Sequence, residues 1–400
     1  MKMIFALLVS TAIWVTSHGQ ALTVGDKLPT IALPNCIIPA STTNAVKTLS
    51  TQSFDQKAII LDFWATWCGP CIASMPKYEG FQKKYGDQLQ IIGVTHEKVK
   101  RIRSFVRNRP VGFMLTVDTA SALRAYFDYR TIPHVVLIDK SGIIKAITNS
   151  DNVTENVIRE LIAGHELSLP LKKDRVDFSL EEYFNAADST RESFNLQAGV
   201  EGVGSMSKVG QDNFTKRRLS LVNFTIDGLY RMAYHVSYFR TVIELDPKTI
   251  EYSDIKNRYC LDVIVPKAGD DVYAYMQQQL PKHFDVKAHW EKRKVRVMVV
   301  KRNAGPMAFE PSAEQNEYYG ASGNHINGTG IKISALAEYF ESFGIFNMPV
   351  IDETNTPGRY NIQLEWQPEK KGDMVEVFRK AGFELVKEEH EIDMLVLSPK

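Results

Sequence analysis

Two cysteines separated by two residues constrain this chain more than any other feature. The motif WCGPC at residues 67–71 follows an apolar, β-rich run, AIILDFW, at residues 58–64. That run predicts a buried strand, and the pattern after it predicts a helix that begins near Cys71. Within the first turn of a helix, this spacing lets the two sulfurs meet in a small ring. The motif therefore predicts a redox-active cysteine pair where a strand gives way to a helix.

The position of the pair at a helix start predicts unequal roles for its two sulfurs. Unpaired amides and the helix dipole stabilise negative charge at that end, so we expect Cys68 to ionise and to attack a partner disulfide. Cys71 lies one turn further inside and should resolve the mixed disulfide. Half of a zinc site and a structural disulfide are the alternatives. Zinc needs two more ligands, and the sequence contains no second Cys-x-x-Cys and no paired-histidine motif.

The stretch around the cysteines resembles a known family. Residues 61–71, LDFWATWCGPC, are similar to the active site of thioredoxins, and especially to that of the exported TlpA/ResA-like thiol-disulfide oxidoreductases. Pro76 matches the proline that kinks the family's helix, and residues 131–133 match the loop that carries its cis-proline, Pro133. The resemblance covers about residues 22 to 165. It implies a thioredoxin-like fold that acts on protein disulfides.

The resemblance also implies which residues meet the substrate. A cis bond before Pro133 would place the backbone of Ile132 beside the Cys68 sulfur, ready to pair with a substrate backbone. The other expected contacts belong to the motif itself: Trp67, Gly69 and Pro70.

Two carboxylates are implied as members of the site. Asp62 stands where thioredoxins keep a buried carboxylate, and it could take the proton of Cys71 during resolution; an Asp in water at a strand end is the alternative. Glu97 stands where ResA-like proteins carry a glutamate, and a solvated loop charge is the alternative. The lysine that partners the thioredoxin carboxylate has no counterpart in residues 90–95.

Other chemistry is less compatible with these residues. A peroxidatic thiol, which competes on this fold, resembles a lone cysteine in a Pro-x-x-x-Thr-x-x-Cys setting, and this sequence lacks that setting. We expect no metal and no other cofactor.

The first 20 residues have the pattern of a secretory signal. Lys2 precedes an apolar stretch of 13 residues, 3–15, and small or polar residues follow at 16–20. A spanning helix needs about 18 apolar residues or more, so this stretch is too short to cross a bilayer. A buried N-terminal helix is the alternative. We expect cleavage between Gly19 and Ala21 and export to a periplasm, with no transmembrane span in the mature protein.

The chain after the signal divides into two regions. Residues 21–166 alternate strands with helices, among them helices at 120–126 and 155–163, and then form a hairpin. This order predicts an α/β thioredoxin-like domain with a mixed central sheet flanked by helices. Residues 167–175, LSLPLKKDR, are interpreted as a linker to a region of unknown function at residues 176–400.

The C-terminal region predicts an α+β fold with a weak internal repeat. The order helix, strand, helix, strand, strand occurs in residues 224–300 and again in residues 331–397, with Asp227 and Ser334 as expected N-caps. We hypothesise two packed modules, with chance recurrence of amphipathic elements as the alternative. The Gly/Asn-rich residues 303–330 predict a surface loop.

The same region resembles an uncharacterised bacterial domain family often called soil-associated. The resemblance spans residues 178–400 and rests on stretches such as MPVIDET and GRYNIQLEW. Because the family has no known function, it implies an architecture and no activity. Asp352, Thr354, Arg359 and Tyr360 within these stretches are interpreted as a turn, since no nucleophile–base constellation accompanies them.

Composition and the remaining cysteines complete the prediction. With 48 basic and 47 acidic residues, the net charge of +1 gives no general reason to expect nucleic acid as a partner. Cys36 and Cys260 either pair with each other or stay buried as free thiols. We predict an exported thiol-disulfide oxidoreductase that reduces protein disulfides and depends on an upstream electron donor. The alternative is a non-enzymatic envelope docking protein on a thioredoxin-like scaffold, which would have no need of paired reactive thiols.

Overall fold

The computed structural model describes residues 21–39, 47–210, 214 and 216–400. The expected signal peptide at residues 1–20 lies outside the described residues, and so does its link to residue 21. Within the described ranges, no helix combines the length and the apolar character that a membrane crossing requires.

The first region is built on a mixed sheet, as the alternating pattern predicts. Its strands are β1 Ala32–Cys36, β2 Lys47–Ser50, β3 Ala58–Phe63, β4 Leu89–Thr95, β5 Met114–Val117, β6 His134–Ile138 and β7 Ile144–Thr148. Its helices are α1 Gly69–Tyr85, α2 Val99–Asn108 and α3 Glu155–Ala163. The central sheet has the order β5-β4-β3-β6-β7, in which β3, β4 and β5 are parallel and β6 and β7 are antiparallel to their neighbours.

Strand β3 is buried on both faces, which explains its unbroken apolar sequence. Ala58 and Ile60 face a cluster formed with the three helices, whereas Ile59 and Leu61 face a second cluster formed with β1 and residues 123–129. The two clusters follow from the alternation of side chains along a strand. They hold the end of β3, and therefore the motif after it, on a rigid support.

The prediction of a helix at residues 120–126 is wrong in its length. Only a single 3-10 turn forms there, at Leu123–Ala125. Ser121 has a positive φ of 54°, and the Asp118 carboxylate accepts a hydrogen bond from the Leu123 amide at 2.7 Å. Because a side-chain carboxylate takes over a backbone amide and one residue is left-handed, a regular helix cannot extend through this segment.

The C-terminal region has an α+β architecture. Its strands are β8 Ser193–Ala198, β9 Met206–Val209, β10 Arg218–Phe224, β11 Thr241–Ile243, β12 Tyr259–Ile264, β13 Val286–Arg302, β14 Glu310–Pro311, β15 Tyr318–Ser322, β16 His325–Ile331, β17 Val350–Asp352, β18 Tyr360–Glu365 and β19 Phe383–Pro399. Its helices are α4 Leu180–Tyr183, α5 Ile226–Ala233, α6 Val272–His283, α7 Ile333–Ser342 and α8 Asp373–Lys380. The strands form three four-stranded sheets, with the orders β8-β12-β10-β9, β11-β19-β13-β17 and β14-β18-β16-β15.

Two strands that the sequence pattern breaks into pieces are continuous. β13 and β19 each run for 17 residues and pair antiparallel over their whole length. Their polar middles interrupt the apolar pattern, but they carry opposite charges that meet across the ladder, such as Lys292 opposite Asp393 and Lys294 opposite Glu391. Opposite charges on facing strands stabilise the pairing where no core lies beneath it.

The order of elements in this region recurs, although the predicted N-caps are wrong. Strand, helix, short strand, strand, helix and long strand follow one another from β10 to β13 and again from β16 to β19. The helices begin one residue before each expected cap, so that Thr225 and Lys332 occupy the N-cap positions instead of Asp227 and Ser334. A repeat of two modules remains a prediction, which superposition of the two stretches would test.

The surface loop predicted at residues 303–330 is wrong, because β14, β15 and most of β16 lie within it. One of its glycines lies in a tight hairpin: a Cβ on Gly328 would lie 2.3 Å from the Tyr318 carbonyl oxygen on the facing strand. Gly330 has a φ of +70° at the irregular end of the pairing with β18. Gly328 and Gly330 therefore permit a close approach of neighbouring backbone and do not indicate a loop.

Candidate active site

The cysteine pair lies at the first turn of α1, directly after the end of β3. Cys68 is the N-cap residue, and its sulfur accepts a hydrogen bond from the Cys71 amide at 3.3 Å. The two cysteines form a disulfide with an S–S distance of 2.02 Å. Cys68 is 4% exposed and Cys71 0%, so a partner would reach Cys68 first. Trp67, Gly69 and Pro70 surround it as exposed residues.

The loop before β6 contains the cis bond that the resemblance implies. The peptide bond between Ile132 and Pro133 is cis, and both residues are partly exposed. Ile132 packs against the cluster that contains Cys68 and Cys71, so the loop and the cysteine pair share one apolar surface.

Asp62 is fully buried in β3, which excludes the alternative of a hydrated carboxylate at the strand end. Neither of its oxygens has a hydrogen-bond partner among the described residues. Burial raises the pKa of Asp62 from 3.8 to about 8, and the positive charge of Lys77 opposes part of that rise. The carboxyl group is therefore protonated at neutral pH and can exchange a proton near pH 8.

Two residues of α1 that the sequence reading missed lie in this environment. Lys77 supplies positive charge to Asp62, and its ammonium donates a hydrogen bond to the Ser150 carbonyl at 2.8 Å. Tyr78 is buried; burial first and the charge of Asp62 second raise the pKa of its hydroxyl. Tyr78 follows Cys71 by seven residues, so helical spacing alone could have placed it on the face of the resolving cysteine. Residues 90–95 contain no lysine, and the positive charge that acts on Asp62 comes instead from Lys77 of α1.

Glu97 holds the loop that leads into the motif. Its carboxylate accepts hydrogen bonds from the Thr66 amide at 2.7 Å and from the Thr66 hydroxyl at 2.8 Å. Glu97 is thus bound to a residue two positions before Cys68 and is not a free surface charge. This arrangement supports a positioning role for Glu97 in the cysteine loop.

The same loop is tied to the C-terminal region through Arg101 of α2. The Arg101 Nε donates to the Thr66 hydroxyl at 3.2 Å, and its two terminal nitrogens donate to the Glu369 carboxylate at 2.6 and 3.0 Å. Both side chains of this ion pair are nearly buried. Asn108, at the other end of α2, donates to Gln367 at 2.7 Å. The contacts join residues about 260 positions apart, so no local pattern indicated them.

The segment interpreted as a linker packs against the cis-proline loop. The Asp174 carboxylate accepts hydrogen bonds from the amides of Arg130 and Thr131 and from the Thr131 hydroxyl, at 2.9, 3.2 and 2.9 Å. Lys172 pairs with Asp174 at 2.7 Å and also donates to the Thr131 carbonyl. Burial first and the charge of Lys172 second lower the pKa of the neighbouring His134 to about 3. Lys172 and Asp174, within residues 167–175, therefore support the cis-proline loop.

The two remaining cysteines do not pair with each other. Cys36 and Cys260 are buried and free, and they lie in separate apolar clusters. Burial raises the pKa of each thiol. Both are therefore poorly ionised at neutral pH, unlike a cysteine prepared for nucleophilic attack.

The turn interpretation of residues 352–360 agrees with local hydrogen bonds. The Thr354 amide donates to Asp352 at 2.9 Å, and the Tyr360 hydroxyl donates to the Pro357 carbonyl at 2.7 Å. Arg359 donates to the Gly330 carbonyl at 2.7 Å. Within the part of the chain that the structure describes, no group of three or more His, Cys, Asp or Glu side chains is placed to hold a metal ion.

Comparison with known proteins separates the two regions. The model of the AhpC/TSA family matches residues 24–147, and that of a protein of unknown function, DUF3738, matches residues 231–396. A solved thiol:disulfide interchange protein of the thioredoxin family from Chlorobium tepidum is 21% identical, with 36% of this chain and 99% of that chain covered and a TM-score of 0.29.

The curated relatives of this chain include three with names that point to thioredoxin-like or thiol-disulfide chemistry. The thioredoxin-like protein YneN of Bacillus subtilis is 31% identical over 24% of this chain and 59% of its own length. ResA of the same organism, a thiol-disulfide oxidoreductase, is 27% identical over 28% of this chain and 64% of its own. ResA of Bacillus cereus is 25% identical over 35% and 82%. The chain thus spans less than two thirds of the first two relatives. Residues 24–147 therefore have a thioredoxin-like fold and match the AhpC/TSA family model, and residues 231–396 match the model of DUF3738, a domain of unknown function.

Proposed function

We propose that this protein is a thiol-disulfide oxidoreductase that reduces disulfides of other exported proteins. The observation that carries the proposal is the Cys68–Cys71 disulfide at the start of a helix, with Cys68 the more accessible sulfur. Relatives named as thiol-disulfide oxidoreductases support the same chemistry. Export to a periplasm follows from the signal pattern of residues 1–20 and is part of the proposal.

The reaction starts from the reduced cysteine pair. The Cys68 thiolate attacks one sulfur of the client disulfide; the Cys68–client bond forms, the client S–S bond breaks, and the second client sulfur leaves as a thiolate that takes up a proton. Cys71 then loses its proton and attacks the Cys68 sulfur, which restores the intramolecular disulfide and releases the client's first sulfur as a thiol. Two electrons pass to the client, and an external dithiol reductant must return them.

The surrounding residues serve these two steps. The free amides at the start of α1 stabilise the Cys68 thiolate. Ile132, beside the cis-proline, offers backbone to the client, and Trp67, Gly69 and Pro70 offer exposed surface. Asp62, whose pKa burial raises to about 8, accepts the Cys71 proton once it is itself ionised.

Reduction of insulin disulfides tests the proposal. The wild type and the Cys36→Ser variant should be active, because Cys36 is a buried free thiol outside the motif. Cys68→Ser should lose the activity, because the attacking sulfur is gone. Equal rates for Cys68→Ser and the wild type would refute the enzyme and leave the docking scaffold as the better description.

A trapping experiment examines the order of the two attacks. Cys71→Ser should accumulate clients as mixed disulfides with Cys68 in exporting cells, because the resolving sulfur is missing. Cys68→Ser serves as the matched control and should trap far fewer clients. Equal trapping by both variants would contradict Cys68 as the attacking residue.

A further inference from the structure

A groove of about 650 Å³ lies between the two regions, beside the cysteine motif. We call it the interdomain groove. One wall is formed by Trp67, Gly69 and Ile72 of the cysteine motif and α1, and the other by Phe343, Ile345 and Val375 of the C-terminal region. Its volume lies within the range of pockets that hold ligands. Residues that flank Cys68 thus form one wall of a larger cleft.

Apolar side chains remain exposed on both walls of the interdomain groove. Trp67 is 59% exposed, Phe343 50% and Val375 51%, although each is a large hydrophobic residue. Ile72 and Ile345 contribute partly buried surface. Exposed apolar surface concentrated in a cleft is typical of a site that binds another molecule.

The charged residues of the groove have one sign. Among the described residues that line it, Arg101, Lys370 and Lys371 are charged, and all three are basic. Arg101 is paired with Glu369 and Lys370 with Asp373, whereas Lys371 is an exposed cation at the rim. The positive charge of Lys371 therefore complements an occupant that carries an acidic group beside its apolar ones.

The two walls are held at a defined separation. The bidentate Arg101–Glu369 ion pair and the Asn108–Gln367 hydrogen bond join α2 to the segment that precedes α8. Charge-assisted bidentate pairs combine strength with a fixed geometry. The groove is accordingly formed before an occupant arrives, which lowers the entropic cost of binding.

We propose that the interdomain groove binds the client protein through a segment with a large apolar side chain next to its disulfide cysteine and an acidic residue nearby. This inference rests on the proposed function and names its substrate class. The apolar side chain lies between Trp67 and Phe343, and the acidic residue lies near Lys371. The client disulfide then faces Cys68, and the electron transfer is the one already described.

Single-turnover reduction of synthetic peptides tests the inference with the full chain after its cysteine pair has been reduced. Three peptides carry one intramolecular disulfide each: one with Phe beside a cysteine and Glu nearby, one with Ser replacing Phe, and one with Lys replacing Glu. Bis(2-hydroxyethyl) disulfide is the small reference substrate, since it has no side chain to fill the groove. The measured quantity is each peptide's second-order rate constant relative to that of the reference.

For the wild type, the rate constant relative to the reference should be about tenfold higher for the Phe/Glu peptide than for the Ser peptide. The reason is that the Phe side chain is buried in the groove and the Ser side chain is not. Phe343→Ser and Val375→Ser should each lower that ratio several-fold. Val209→Ser, at a valine that is 59% exposed on β9 and does not line the groove, should leave it unchanged. Lys371→Glu should reverse the preference for the Glu peptide over the Lys peptide, and added salt should weaken that preference.

The outcomes separate the inference from the proposed function. If the small disulfide is reduced but the three peptides react alike, or if the groove variants and Val209→Ser behave alike, the groove does not select clients and the inference is overturned while the oxidoreductase stands. If neither the small disulfide nor any peptide is reduced, the proposed function fails and the inference fails with it.

Discussion

The buried carboxylate of Asp62 leads to a quantitative prediction about stability. An unfolded chain loses the Asp62 proton near pH 3.8, whereas burial in the folded protein raises the pKa of this carboxyl to about 8. Between these pH values the folded state binds more protons than the unfolded state, so stability falls as pH rises. Above about pH 4, each pH unit lowers the free energy of unfolding by about 1.4 kcal/mol. The loss accumulates to roughly 4 kcal/mol at pH 7. Asp62→Asn removes the ionisable group and therefore this loss.

Urea unfolding of the oxidised protein at pH 5, 6 and 7 measures the effect, since the disulfide removes any titration of Cys68 and Cys71. The free energy of unfolding of Asp62→Asn should rise relative to the wild type by about 1.4 kcal/mol for each pH unit. Asp128→Asn, at an exposed carboxylate of the same region, is the matched control for the loss of a carboxylate.

A pH-independent difference for Asp62→Asn, or one that follows Asp128→Asn, would refute a buried, protonated Asp62.

The same variant also examines the proposed proton transfer. In the wild type, resolution of a mixed disulfide should accelerate as pH approaches 8, because the Asp62 carboxylate forms there. Asp62→Asn should lose that part of the pH dependence, as seen in rapid-mixing kinetics of release.

Three further outcomes follow from contacts outside the motif. In a double-mutant cycle of Arg101→Met and Glu369→Gln, urea unfolding should give a coupling of about 1–3 kcal/mol, because the pair is nearly buried and bidentate; additive single effects would contradict a functioning pair. Asp174→Ala should destabilise the protein by about 3 kcal/mol in the same assay, since it leaves Lys172 and the Arg130 and Thr131 amides without their partner; a loss of less than about 0.5 kcal/mol would contradict this. His134, whose pKa is lowered to about 3, should remain neutral from pH 7 to pH 4, so a shift of its ring resonances above pH 5 would contradict its burial.

Local sequence patterns were sufficient for the parts of the site that lie close together along the chain. The motif at residues 67–71 predicted a cysteine pair at a helix start, and the structure has a disulfide at the start of α1. The apolar neighbours of Asp62 favoured burial, and Asp62 is buried. Such features depend on the period of a strand or on a few adjacent residues, and both can be read in the sequence.

Patterns misled where the pairing partner is distant. The polar middles of β13 and β19 are atypical of strands, yet each finds oppositely charged residues about 100 positions away. In the Gly/Asn-rich stretch that suggested a loop at residues 303–330, Gly328 instead permits two strands to approach closely. In each case the chemistry of the residue is visible in the sequence, but its partner is not.

The sequence by itself determined the redox motif and the mixed sheet that supports it, because motif spacing and hydrophobic alternation act over a few residues. Only the tertiary structure decided that Lys77 supplies charge to Asp62, that Asp174 supports the cis-proline loop and that Arg101 joins the motif to the C-terminal region. Contacts between distant residues depend on how whole layers pack, since a side chain's partner is set by the placement of elements and not by its neighbours in sequence.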